Sequence, residues 1–125
     1  MTKVSILMTS SEIKFVPKGW GFEKWIVNND EYCGKLLFFN EGKKCSWHYH
    51  KIKDETFYLQ SGQMYLTYGD SDDIKEAKTI ILRAGDKFHI YRGLRHQMKA
   101  ITDTELFEFS TQHFEDDSYR VIKGD

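Results

Sequence analysis

The sequence predicts an all-β domain, a sandwich or a small barrel, and three observations carry that expectation. About nine to eleven short strand-like runs follow one another, separated by Gly, Pro, Asn and Asp turn signals at regular spacing. No stretch holds a convincing helical apolar period. Aromatic residues make up 15% of the chain against a single proline, a composition that suits strands packing large rings inside.

At 125 residues the chain is long enough for one core and one domain. Its core is expected over about 19–110, with 1–14 as an N-terminal strand or arm and 111–125 as a polar tail. The 18 basic residues nearly balance the 19 acidic ones, which argues against a nucleic-acid or anionic-membrane surface. The apolar patch Val4 to Met8 lacks the long apolar region and cleavage site of a signal peptide. No apolar run approaches a membrane span. Two cysteines, Cys33 and Cys45, are too few for a disulfide framework and read as reduced thiols of a cytoplasmic protein.

Residues 15–25 break at Pro17, Gly19 and Gly21, and an extended run then continues through Val27. Asn28, Asn29 and Asp30 make a turn. Residues 32–40, YCGKLLFFN, are apolar almost throughout, as in a strand covered on both faces. After the Glu41-Gly42 turn a strand is expected over 44–50, followed by a charged loop over 51–54 and a strand opening at Glu55. Ser61-Gly62 is a hairpin signal before alternating residues 64–68. The acidic segment 69–76 is read as a solvated loop, since it lacks the spacing of a calcium loop. Strands over 78–82, 87–91, 96–101 and 105–110 complete the count, with turns at 84–86 and 92–93.

The chemistry concentrates in GKKCSWHYHKIKDETFYLQSG, residues 42–62. A strand alternates its side chains, so His48 and His50 project from one face and can hold a single ion. Glu55 follows closely, and His96, far along the chain, is the natural fourth ligand. Imidazoles with a carboxylate suit a divalent transition metal: Mn, Fe, Ni, Co or Zn. Cys45, Trp47 and Tyr49 have the opposite parity and are expected to face away from the metal. Phe57 and Leu59 share the parity of Glu55, and Met98 that of His96, so these line the cavity.

The spacing Gly42, five residues, His48, one, His50, four, Glu55, six, Gly62 resembles the first motif of the cupin superfamily without a mismatch. GDKFHIYRGLRHQMKA, residues 85–100, resembles the second motif through Gly85, Gly93 and His96. Tyr91 stands there in the usual place of proline and Ala100 in that of asparagine. The resemblance implies a jelly-roll barrel, the double-stranded β-helix, with a metal held inside by His48, His50, Glu55 and His96. Small cupins of this kind commonly form homodimers through the outer sheet or through exchanged N-terminal strands, for which Val4 to Met8 is a candidate. A finer similarity joins KGWGFEKWIV, residues 18–27, and EFSTQHFEDDSYR, residues 108–120, to the cupin domain of type II mannose-6-phosphate isomerases.

That similarity implies a sugar or sugar phosphate as ligand and aldose-ketose isomerisation as reaction. Isomerisation needs a base that moves a proton between neighbouring carbons, and the sequence offers Glu108, Lys53 and Tyr58. Arg92 and Arg95, flanking the turn into His96, are placed to grip a phosphate or carboxylate. His89 reads as a satisfied or exposed side chain, and His113, in the polar tail, as a weak candidate. A non-catalytic metabolite- or sugar-binding cupin and an Fe(II) dioxygenase are the competing expectations.

Overall fold

The structure is a computed structural model and describes residues 12–125. The patch Val4 to Met8, the candidate exchanged strand, lies outside the described residues. Eleven strands run in order: β1 (Lys14–Lys18), β2 (Gly21–Asn28), β3 (Cys33–Phe39), β4 (Trp47–Tyr49), β5 (Glu55–Ser61), β6 (Gln63–Gly69), β7 (Lys78–Arg83), β8 (Lys87–Ile90), β9 (Arg95–Ala100), β10 (Thr104–Ser110) and β11 (Tyr119–Ile122). They form a six-stranded sheet, β1-β2-β3-β10-β5-β8, and a five-stranded sheet, β11-β4-β9-β6-β7, antiparallel throughout. Each sheet turns one apolar face to the other, and this is the jelly-roll architecture expected.

Period-two burial explains how the sequence closes this core. Along β3 the inward residues Cys33, Lys35, Leu37 and Phe39 are buried while Gly34, Leu36 and Phe38 are half-buried. Along β5 Glu55, Phe57 and Leu59 face inward, and along β9 His96, Met98 and Ala100 do so. Phe39, Leu59, Met64, Leu66 and Leu106 are completely buried and make the dry half of the sandwich. The other half carries the polar inward residues, among them Lys35, His50, Lys53, Glu55, His96 and Glu108.

Several expectations are corrected. Residues 15–28 form the hairpin β1-β2, with Pro17 inside β1 at the sheet edge, where a missing N–H costs no internal ladder bond. Ser61-Gly62 does not make a hairpin: β5 and β6 lie in different sheets. Gly62, at φ 88°, turns the chain across the corner with its Cα against Asp103 and Thr104, and a Cβ there would sit 2.3 Å from the Asp103 carbonyl oxygen. The strand expected over 44–50 shortens to Trp47–Tyr49, preceded by one isolated bridge from Lys44 to Lys99. Within the polar segment 111–125, β11 pairs with β4 and Asp125 exchanges backbone and side-chain hydrogen bonds with Lys44. In the acidic segment Asp72 pairs with Arg95 and Asp73 caps a 3-10 turn at Ile74–Glu76, consistent with a solvated loop.

The two glycine-framed segments do not fold as separate hairpins that face each other. They interlock: β4 of the first pairs with β9 of the second, and β5 with β8. His48 and His96 are direct register partners.

Candidate metal centre and its cavity

Strand β4 and the residue after it bring His48 and His50 to one face, and β9 supplies His96 opposite. One ring nitrogen from each of these three lies within 4.8 Å of the others. The Nδ1 atoms are all turned to carbonyl oxygens: His48 to Ser46 at 2.8 Å, His50 to Asp117 at 3.0 Å and His96 to Leu94 at 2.8 Å. A carbonyl only accepts, so in the neutral ring each Nδ1 carries the hydrogen and each Nε2 keeps a free lone pair. Backbone bonds of this kind fix the tautomer and orientation of metal-binding imidazoles. Burial, with His96 and His50 beside it, also holds the His48 pKa well below the ordinary histidine value.

Glu55 opens β5 and is 1% exposed. Its Oε2 stands 3.3 Å from His50 Nε2 and 3.4 Å from His96 Nε2. Glu55 Oε2 and His96 Nε2 are both buried without a hydrogen-bond partner. Two acceptors facing each other inside a protein are unfavourable unless something positive lies between them. The donor set therefore fits a divalent cation, with three imidazoles as its core and Glu55 beside it.

A cavity of about 490 Å3 opens above these residues, a size ordinary for a small-molecule site. Phe57 and Met98 line it, with Trp20, Trp25, Leu37 and Phe39, whereas Leu59, expected beside them, lies in the apolar core instead. Cys45 lines it too, contrary to its expected parity: residues 45–46 are not regular strand, so the alternation starts only at Trp47. Its thiol is pushed up to about 12 by burial and is inert. Trp47 faces away and donates Nε1 to the Asp72 carbonyl.

Lys53 and Glu108 both enter the cavity and are joined, Nζ to Oε2, at 2.9 Å. Lys53 also lies 3.5 Å from Glu55 Oε1, so one buried ammonium serves two buried carboxylates. Burial works against its charged form, but Glu108 and Glu55 outweigh burial and hold its pKa above the usual lysine value. Burial would likewise raise the Glu55 carboxyl, yet the Lys53 ammonium keeps it well below the carboxylate range. Asp117, 2% exposed, anchors the loop that carries Lys53 by accepting from the backbone N–H groups of Lys51, Ile52 and Lys53.

Three sequence candidates, and His89 with them, lie elsewhere. Tyr58 points out of β5 with the opposite parity to Glu55 and Phe57, and is not among the cavity residues. Arg92 donates Nε to the Ile52 carbonyl on the exposed surface. Arg95 pairs with Asp72 and stacks 3.7 Å from the centroid of the Tyr49 ring. His89 pairs with Asp54 at the surface.

His113, a weak candidate from its place in the polar tail, lines the cavity, and its Nδ1 is 3.2 Å from Lys53 Nζ. Burial, then Lys35 and Lys53, pushes its pKa down to about 3. Lys35 and Glu23 join it in the wall. Lys35 carried a legible signal, a lone charge at an inward position of an apolar strand. His113 carried none, because its chain is irregular there.

The sequence profile of the cupin domain, Cupin_2, matches residues 36–109. The chain belongs to the cupin family. Among curated proteins this cupin is 27% identical over 100 residues to the uncharacterized protein YdbB of Bacillus subtilis, covering 80% of this chain and 78% of that one. Among solved structures it is similar to oxalate decarboxylase of Bacillus subtilis, with TM-score 0.79 and 17% identity over 96% of this chain. It is also similar to the capsular polysaccharide assembling protein CapF of Staphylococcus aureus, with TM-score 0.75 and 17% identity over 86% of this chain. The cupin spans 33% of the decarboxylase chain and 34% of the CapF chain, and the likeness to both is one of fold. No helix among its described residues is long and apolar enough to cross a membrane.

Proposed function

We propose that this cupin is a metal-dependent enzyme of sugar or sugar-phosphate chemistry, an aldose-ketose isomerase similar in reaction to mannose-6-phosphate isomerases. The observation that carries the reading is Glu108, a carboxylate in the cavity wall, tied by Lys53 to the residue beside the three-histidine cluster. His48, His50 and His96, with Glu55, would hold the metal. Mn is one candidate, since oxalate decarboxylase of the same fold has Mn(II) centres. A bound divalent ion supplies a Lewis acid that polarises a carbonyl and its neighbouring hydroxyl.

The chain's own residues supply the remainder. Glu108 is 4% exposed, and both its hydrogen bonds, from Lys53 and Ser110, fall on Oε2. Its Oε1 carries none among the described residues. Oε1 takes the proton from the hydroxyl-bearing carbon beside the carbonyl and returns it to the former carbonyl carbon, while the hydroxyl proton passes to the former carbonyl oxygen, which converts aldose to ketose without net change in atoms. Lys53 holds the carboxylate in place, and Phe57, Met98 and Trp20 exclude water from the reacting carbons. The outer face of the six-stranded sheet carries Phe15, Ile26 and Phe109, each about half exposed, which supports a homodimer through that face.

Metal-loaded protein in heavy water, incubated with aldoses, ketoses and their phosphates and followed by NMR, tests the reading. It predicts solvent hydrogen exchange and interconversion, reduced at least about 100-fold in Glu108→Gln with metal content unchanged. Absence of exchange with every sugar contradicts it. A binding cupin is the second reading, favoured by the one ammonium that neutralises both Glu55 and Glu108. It predicts sugar affinity without exchange.

A further inference from the structure

Lys35 is a buried charge in the cavity wall without a hydrogen bond among the described residues. It is 2% exposed, on the inward face of β3. An ammonium has three N–H donors, yet this one makes no hydrogen bond among the described residues. Its contacts are the Trp25 ring, 4.1 Å from Nζ to the centroid, and Glu23 Oε1 at 3.7 Å. Glu23 is held back from it, because that same Oε1 accepts from Trp25 Nε1 at 2.7 Å. Lys18 lies 4.0 Å from the other Glu23 oxygen, and the further carboxylate on this side, Glu108, the register partner of Lys35 on β10, is already bonded by Lys53.

His113 packs its ring on the same indole, with centroids 4.8 Å apart and edge on. The Lys53 ammonium can only donate, so His113 Nδ1 accepts from it and the ring hydrogen is on Nε2. That leaves a second donor against Trp25. The rings of His113 and His50 are 6.5 Å apart, which puts the pair beside the three-histidine cluster rather than in a separate pocket.

We propose that Lys35 and His113, braced on the Trp25 ring, form an oxyanion-binding subsite that takes the phosphate or carboxylate group of the substrate. Lys35 is buried, so an anion meets a stronger field there than at the surface arginines. Burial disfavours the charged Lys35, whose pKa is lowered, and a bound anion relieves that cost. Trp25 limits the rotamers of both donors, which reduces the ordering entropy of binding. The subsite takes from the isomerase reading only that this cavity binds substrate. It adds that the substrate is charged.

Isothermal titration calorimetry on the metal-stripped protein, with inorganic phosphate, malonate and glycerol as probes, tests this apart from turnover. Phosphate and malonate bind and glycerol does not. Lys35→Met, which replaces a buried ammonium by an apolar chain of similar length, weakens anion binding at least about tenfold, His113→Phe weakens it less, and Lys35→Arg restores it. Independently of any variant, phosphate protects Lys35 of the native protein from acetylation by acetic anhydride, read by peptide mass spectrometry. Preference for phosphate assigns a phosphorylated substrate, and preference for malonate a carboxylic acid. Equal anion affinity in Lys35→Met, or acetylation of Lys35 unaffected by phosphate, overturns the proposal. Turnover of neutral sugars without anion affinity overturns it too and leaves the isomerase standing. Anion affinity without turnover does the reverse.

Discussion

Replacing Lys53 by methionine removes the single positive charge between two buried carboxylates. Lys53, Glu55 and Glu108 are 3%, 1% and 4% exposed, and the ammonium reaches them at 3.5 and 2.9 Å. Screening by solvent is therefore weak, and the surface-pair value of at most about 1 kcal/mol does not apply. Breaking a buried pair from one side typically costs about 3–5 kcal/mol, because the partner charge is left uncompensated. With a urea slope of about 2 kcal/mol per molar, the metal-free Lys53→Met protein should unfold roughly 2 M earlier than wild type. The double variant Lys53→Met/Glu108→Gln should recover part of the loss, since it removes one of the stranded charges. Metal should also stabilise the single variant by more than it stabilises wild type, since the cation compensates Glu55. A loss below about 1 kcal/mol, with no recovery in the double variant, would refute the picture of one shared buried ammonium.

Two further outcomes follow from the same geometry. Asp117→Ala removes the acceptor of three backbone N–H groups in the loop before Glu55. It should cost about 2–4 kcal/mol in denaturant unfolding and speed amide exchange at residues 51–53 selectively; unchanged exchange there would show that the loop is held otherwise. His113 titrates at about 3 in the fold against roughly 6.5 unfolded, so the unfolded chain binds its proton first. Its contribution is present above pH 6.5 and is lost as pH falls from there toward about 3, by at most about 1.4 kcal/mol per unit. Stability against pH should thus fall more steeply for wild type than for His113→Phe over that window, and parallel curves would contradict the buried neutral ring.

Much of the fold was legible because its strands obey period two. The alternation in 55–60 and 96–100 put Phe57, Leu59 and Met98 on the inward face with Glu55 and His96, but only Phe57 and Met98 reach the cavity, since Leu59 lies deeper in the apolar core. Parity failed where the backbone leaves strand geometry, at Cys45. Tyr58 failed for another reason: it was chosen for chemistry against its own parity. The hairpin expected at Ser61-Gly62 shows a limit of local signals, since a positive-φ glycine serves a tight turn and a sheet-to-sheet corner equally well. Within the polar C-terminal segment β11 was not legible, because it is an edge strand held mainly by backbone bonds and by Asp125. The pair His48 and His50 was readable from local spacing, and His96, on β9, from the second motif. Lys35 and His113 were not brought to these histidines, because only the packing of β2 and β3 against residues 111–118 does so.

The most direct test is elemental analysis of the purified, untagged protein by mass spectrometry beside His48→Ala and His96→Ala. The account predicts a divalent transition metal near one per chain, or restored to that level by reloading, and its loss in both variants. Both variants should remain folded by circular dichroism. No metal in the wild-type protein even after reloading, or metal undiminished when these ligands are removed, would contradict the metal centre on which the functional reading depends.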